Sequence, residues 1–569
     1  MPVFPRQRRR GSIVLAATIT VALLGATQSA PAAAPSTVAA SPVTASVASS
    51  TTKTLPQSLI VTTDKGQVEG RTTGYTDQFL GIPYAQPPVG ALRWAAPVPM
   101  PAWSAVRSAM TYGNRCTQLA SGNGPRIDTE DCLYLNVYVP TSVPATGKLP
   151  VFFMIHGGGL TTGAGDQMDG SLIAQTQDVV VVSVNYRLGP FGFLDVPGLT
   201  DPTAASGDFG LLDQESALRW VDTNIAAFGG NPAEVTIGGE SAGGFSVCAL
   251  LAAPAARGLF SRAIVESGGC PSATVSQAQA AGLAFAASVG CTTAATAAAC
   301  LRTTPEAALL TASGSYQTSF ISGGPELPVP PEQAITTGQY TKVPILIGSN
   351  HDEGRTFAQG FADYTEQQYV SFVDSTYGAL APQVLQHYPW SAYPSPYTAS
   401  YAVGAILTDS GAIAGIGGCG TQNLAEKLAA YSTTYMFQFD DRDAPGLNSQ
   451  LPGYQWGAGH AMELAYLWPS FTNGYSLYAE LTPGQLELSR QMLDYWGAFM
   501  RDGSPNATGQ PRWPQLTTAR LMSLRPDGRS TVITGTEYSA EHQCGFWNAQ
   551  AGPAGRATSG TLHVLNEEN

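Results

Sequence analysis

Short runs that are apolar at nearly every position recur along this chain, and each stops at glycine or a turn. Residues 149–155 read LPVFFMI, 179–184 read VVVVSV and 344–347 read PILI, with briefer runs at 235–237, 263–265 and 434–437. A strand with one face in water alternates apolar and polar residues. These runs do not, so both faces of the sheet they form must be covered. Helical periodicity fills the intervals: QESALRWVDTNI, residues 214–225, puts Ala217, Leu218, Val221 and Ile225 on one face. Strands of this kind separated by helices give an α/β fold, a mostly parallel central sheet covered by helices. Two segments, 303–340 and the aromatic-rich 357–401, break the rhythm. They are expected as helical and loop insertions that cap the C-terminal edge of the sheet. No internal repeat or composition break interrupts residues 55–549, which are expected as one large domain, with 550–569 a flexible Gly/Ala-rich tail.

The N-terminus reads as an address. Arg6, Arg8, Arg9 and Arg10 form a cationic segment, and residues 13–26 are uncharged and mostly apolar. That run is shorter than the roughly 20 residues a membrane span needs, so residues 1–29 are expected as a signal peptide and the protein as secreted. Residues 30–54 run in Ala, Pro, Ser, Thr and Val, a low-complexity linker that buries no core. No later stretch is long and apolar enough for an anchor. The chain holds 28 Lys and Arg against 41 Asp and Glu, a net charge of −13. Five of those cations and no acid lie in the first 54 residues, so the body is more acidic still. With no basic stripe, nucleic acid and anionic membranes are excluded as partners.

Export makes the eight cysteines disulfide candidates before metal ligands. None forms a CxxC, and no histidine stands at ligand spacing from them. Proximity suggests Cys116–Cys132 and Cys291–Cys300. Cys419, Cys544, Cys248 and Cys270 are left, and Cys248, inside SVCALLAA, reads equally as a buried free thiol or as a partner for Cys270.

Residues 235–244, VTIGGESAGG, carry a G-x-S-x-G motif centred on Ser241. A strand precedes it and a helix-compatible run follows. Such a turn projects the serine hydroxyl in an unfavourable backbone conformation, and glycine two residues to either side avoids collision within it. A serine nucleophile also needs a base, and the oxyanion it generates needs preorganised donors. Donors are offered by His156-Gly157-Gly158-Gly159 directly after LPVFFMI, where glycines let backbone N–H groups approach a substrate oxygen.

With these motifs the chain resembles the type B carboxylesterases, the cholinesterase-like branch of the α/β-hydrolases, over about residues 58–548. The resemblance rests on FLGIPYAQPPVGALRW (79–94), EDCLYLNVYVP (130–140), VNYRLGPFGFL (184–194) and, above all, GDFGLLDQESALRWVDTNIAAFGGNPAEVTIGGESAGG (207–244). It implies an α/β-hydrolase fold with Ser241 as nucleophile and the N–H groups of Gly158, Gly159 and Ala242 as the oxyanion hole. The family usually has Asn where Asp208 stands. It places its acid in a D-E-G turn, here PILIGSNHDEGRTF (344–357), which assigns Glu353, with Asp352 the nearest competitor. Among the six histidines, His156 opens the oxyanion loop and His351 falls in the acid's loop. His387 lies in the cap, His542 adjoins Cys544, and His563 is in the tail. His460 remains, in GAGHAMELAYLW (457–468), which matches the family's histidine segment except that Ala461 stands where Gly is commoner. Ser267 matches a serine that supports the acid. The resemblance further implies the bridges Cys116–Cys132, Cys291–Cys300 and Cys419–Cys544, and gives no precedent for Cys248 and Cys270.

The expected activity is that of a serine carboxylesterase on a small-molecule or lipid-like ester, working through an acyl-enzyme and needing no cofactor. The loop between Cys116 and Cys132 is short and contains no aromatic residue, so the choline site of cholinesterases is not expected. Aromatic residues 388–401 are available to line a substrate pocket or to pack the cap. A lipase or sterol esterase of the same fold is the first alternative. An adhesion protein whose triad is idle is the second, disfavoured because all three triad residues and the glycine loop are present.

Overall fold

The computed structural model describes residues 59–141, 148–199, 207–447, 451–471 and 477–550, all within the unit Pro56–Asn569. The expected signal segment, the linker and the tail beyond Gln550 lie outside the described residues. The apolar runs become strands of one 13-stranded sheet. We number them β1 (Leu59–Thr62), β2 (Gln67–Thr72), β3 (Thr76–Pro83), β4 (Tyr134–Pro140), β5 (Leu149–Ile155), β6 (Val180–Val184), β7 (Gly230–Glu240), β8 (Arg262–Glu266), β9 (Ile345–Asn350), β10 (Thr434–Phe439), β11 (Arg520–Leu524) and β12 (Thr531–Thr534). Across the sheet they run β1-β2-β3-β4-β6-β5-β7-β8-β9-β10-β11-β12, and the short strand Arg107–Ser108 joins β2. From β6 to β11 every pairing is parallel, and the flanking pairs are antiparallel.

The absence of alternation has its expected cause. Leu149, Val151, Phe153 and Ile155 of β5 point into one core, with Val180, Val182 and Val184 of β6. Phe152 and Met154 point into the core on the other face, with Val181. The first face is covered by helices α1 (Phe209–Asn224), α2 (Ala242–Ala252) and α3 (Gly418–Ala429), the second by α4 (Pro483–Asp502). On α1, Ala217, Leu218, Val221 and the following Ile225 are all in the core, as the periodicity predicts. At its N-terminal end the Asp213 carboxylate takes Arg187 Nε at 2.7 Å and Nη2 at 2.8 Å, both side chains buried.

The segment 357–401 folds as short helices with their own small core around Tyr369, Val384, Tyr388 and Ala399, closed by Trp547 of the last helix. The segment 303–340 behaves otherwise. Ala334 and Ile335 of its helix Pro331–Thr336 enter the main core, and the Thr341 N–H donates to the Leu251 carbonyl at the far end of α2. That part flanks the sheet rather than capping it, because its apolar side chains complete the cover over α2. All four cysteine pairs are bonded: Cys116–Cys132, Cys291–Cys300, Cys419–Cys544 and also Cys248–Cys270. No helix among the described residues is long and apolar enough to cross a membrane.

Candidate functional site

Ser241 stands where β7 turns into α2, with φ 56° and ψ −121°, a region that side-chain-bearing residues rarely occupy. Its surroundings hold it there. Its N–H donates to the Glu266 carbonyl at the end of β8 at 3.0 Å, and its carbonyl accepts the Phe245 N–H at 3.0 Å. The glycines of the motif are a packing requirement: a methyl on Gly239 would lie 2.4 Å from the Gly243 carbonyl carbon, and one on Gly243 only 2.1 Å from the Ile155 carbonyl oxygen. The glycine loop after β5 lies directly alongside, since a methyl on Gly157 would come within 3.1 Å of Ser241 Cβ. Gly158 and Gly159 both have positive φ, 99° and 62°. Among the described residues the N–H groups of Gly158, Gly159 and Ala242 donate to no protein acceptor, which leaves three donors for an incoming oxygen.

The chain returns to this edge twice more. Glu353 follows β9, and its Oε1 accepts the Ser267 hydroxyl at 2.6 Å and the Asn350 N–H at 2.7 Å. Its Oε2 lies 2.6 Å from His460 Nδ1. The carboxylate thus holds one imidazole nitrogen and turns Nε2 the other way. Asp352, the competing acid, faces away: it pairs with Arg442 at 2.6 Å and Arg355 at 3.3 Å and accepts the Ala458 N–H. Burial alone would raise its carboxyl, but His351 and the two guanidiniums hold it well below the usual carboxylate range.

The remaining described histidines are engaged elsewhere. His156 stacks on Tyr186 at 4.5 Å, and burial lowers its pKa to about 4. His387 stacks on Phe546. His351, Glu541 and His542 bring potential ligand atoms within 4.8 Å of one another. Two of these side chains are already engaged: His542 bonds Asp409 through Nδ1 and Gln438 through Nε2, and the Arg442 guanidinium sits 3.1 Å from His351 Nε2. Beside them Tyr388, Tyr393 and Tyr401 line a cavity of about 180 Å³ with Asp352 and Arg355, to which neither Ser241 nor His460 contributes. The aromatic residues 388–401 therefore divide between this cavity and the packing of the cap.

Three groups at the site were not singled out from the sequence. Phe357 lays its ring on the His460 imidazole, centroids 4.8 Å apart. Glu240, the variable residue of the serine motif, places Oε1 3.2 Å from His460 Nε2. Glu463, one turn after His460, accepts Asn350 Nδ2 and also lies near the imidazole. Burial raises the carboxyl groups of Glu240 and Glu463, the latter to about 7. Burial by itself would lower the His460 imidazole, yet Glu240 and Glu353 push it above the usual histidine value. Glu240 alone had a signal, its place beside Ser241. The other two meet the site only through the fold. The Ser241 hydroxyl forms no hydrogen bond among the described residues. Nucleophile–base contacts of this type are often loose until substrate is bound.

Residues 57–547 match the model of the carboxylesterase family. Para-nitrobenzyl esterase of Bacillus subtilis is 35% identical over 507 residues, 85% of this chain and 96% of that enzyme. Acetylcholinesterase of Bungarus fasciatus is 33% identical, covering 86% of each chain, and carboxylesterase 1D of Mus musculus is 33% identical, covering 80% of this chain and 87% of its own. A solved PNB esterase structure superposes with a TM-score of 0.70 at 34% identity, covering 85% of this chain and all of that one.

Proposed function

Since the chain belongs to the carboxylesterase family and is a carboxylic ester hydrolase of the α/β-hydrolase fold, we propose that it is an exported serine esterase with Ser241, His460 and Glu353 as its triad. The observation that carries this reading is the Ser267–Glu353–His460 relay, each contact 2.6 Å long, built at the strand edge where Ser241 is held at positive φ. His460 takes the Ser241 proton as the hydroxyl attacks the ester carbonyl. The N–H groups of Gly158, Gly159 and Ala242 receive the oxyanion, and His460 returns the proton to the departing alcohol. Water then releases the acid by the same steps in reverse order. Glu353 fixes the imidazole tautomer and stabilises the imidazolium without taking the proton. Small esters such as nitrophenyl and nitrobenzyl esters are the substrates to try first, given the named relatives. The N-terminal address and four disulfides support export.

The test is hydrolysis of p-nitrophenyl esters from acetyl to palmitoyl by the mature protein and by Ser241→Ala, with circular dichroism on both. The variant is expected to stay folded and lose about 10⁴-fold or more in kcat. An optimum at long acyl chains would move the reading to a lipase or sterol esterase. A folded wild type with no activity on any ester would leave the idle binding protein.

A further inference from the structure

The first turn of α2 meets the segment after β8 in a seam, glycine to glycine. A methyl on Gly244 would lie 2.9 Å from Gly268 Cα, and one on Gly268 would lie 2.7 Å from Gly244 Cα. On a different side, away from α2, one on Gly269 would strike the Ala414 carbonyl oxygen at 1.9 Å. Main chain therefore rests on main chain. Apart from the bond from the Ser241 N–H to the Glu266 carbonyl, such contacts act through weak van der Waals attraction and set no side-chain knob into a hole.

The seam nevertheless carries two residues whose relative position matters. Ser241 begins α2, and Ser267, which holds Glu353, begins the opposing segment. Both have positive φ, 56° and 48°. Strained backbones of this kind persist only where the surroundings over-determine them. Three residues beyond Ser267, Cys270 is bonded to Cys248, about two turns into α2. Cys248 is buried and Cys270 half-buried against the same core. The bond thus ties the two sides of the junction covalently.

We propose that the Cys248–Cys270 bridge is a positioning element for catalysis: it fixes the distance between Ser241 and the Ser267-held Glu353–His460 pair. The proposal rests on the triad assignment above. In the full-length protein, with the other three bridges intact, Cys248→Ala/Cys270→Ala is expected to lower kcat on p-nitrophenyl acetate by about tenfold or more while KM stays within about twofold, because misplacement of reacting groups acts on the transition state. Inactivation by an organophosphate, which reads serine reactivity without turnover, is expected to slow in parallel. The loss is expected to be equal on acetyl and butyryl esters, since the triad and not an acyl pocket is disturbed.

A folded variant with wild-type kcat and only a lower Tm would overturn the proposal. So would a change in acyl preference. Should the alanine pair fail to fold, Cys248→Val/Cys270→Ala refills the buried position. If that pair also misfolds, the bridge serves folding and the proposal falls. Ser241→Ala with the bridge intact keeps the two readings apart: residual activity there sinks the triad, whatever the bridge does.

Discussion

At the scale of single residues, the site is governed by how carboxylates surround one imidazole. His460 has Glu353 at Nδ1 and Glu240 facing Nε2, and both favour the imidazolium. On the triad proposed above, only neutral imidazole can accept the serine proton, so activity is expected to fall as pH drops through the His460 pKa. Replacing Glu240 by Gln removes a charge that favours the protonated form, so the His460 pKa falls. The acidic limb of the kcat/KM profile on p-nitrophenyl acetate is expected to move to lower pH. An unmoved limb would mean that Glu240 already carries a proton in the free enzyme. Glu240 was legible as part of a motif but not as a neighbour of His460, because its direction depends on the turn at Ser241 and on a loop more than two hundred residues away.

At the scale of elements, strands and turns announced themselves and their partners did not. Runs such as LPVFFMI could only be two-faced strands, and the glycines around Ser241 could only serve a collision-free turn. Both properties are local. The placement of 303–340 was not, since Ala334 and Ile335 look the same whether they face a cap or the main core. Phe357 was lost among other aromatic residues for the same reason. The buried Arg187–Asp213 pair is an element-level joint, fastening the start of α1 to the loop after β6. Asp213→Ala would leave a guanidinium buried and unpaired. It is expected to cost about 3–5 kcal/mol, read as a lower midpoint in guanidinium chloride, whereas Arg187→Met/Asp213→Leu should cost clearly less.

At the scale of the whole molecule, the last described helix decides how the cap is held. Cys544 is bonded to Cys419 of α3 across 125 residues. Trp547 Nε1 donates to the Tyr388 hydroxyl at 2.7 Å, within the cap's own core. The end of the domain thus returns to close the insertion over the site. Cys419→Ala/Cys544→Ala is expected to lose about 2–5 kcal/mol of stability. Limited proteolysis should then cut first between residues 357 and 401. A first cut anywhere else would show that the cap is held without this tie. Spacing suggests a bridge only between near neighbours, so Cys419–Cys544 came from the family resemblance, and its link to the cap from the fold alone.

The glycine seam beside Ser241 also bears on descent. At Gly239, Gly243 and Gly244, and again at Gly268 and Gly269, an added methyl meets main chain that no rotamer change can move aside. A lineage cannot explore side chains there, however strong the selection for a new ester. Variation is left to segments such as the cap, where many replacements would fall on a small core of their own. The most constrained part of the molecule is thereby what allows the rest to vary.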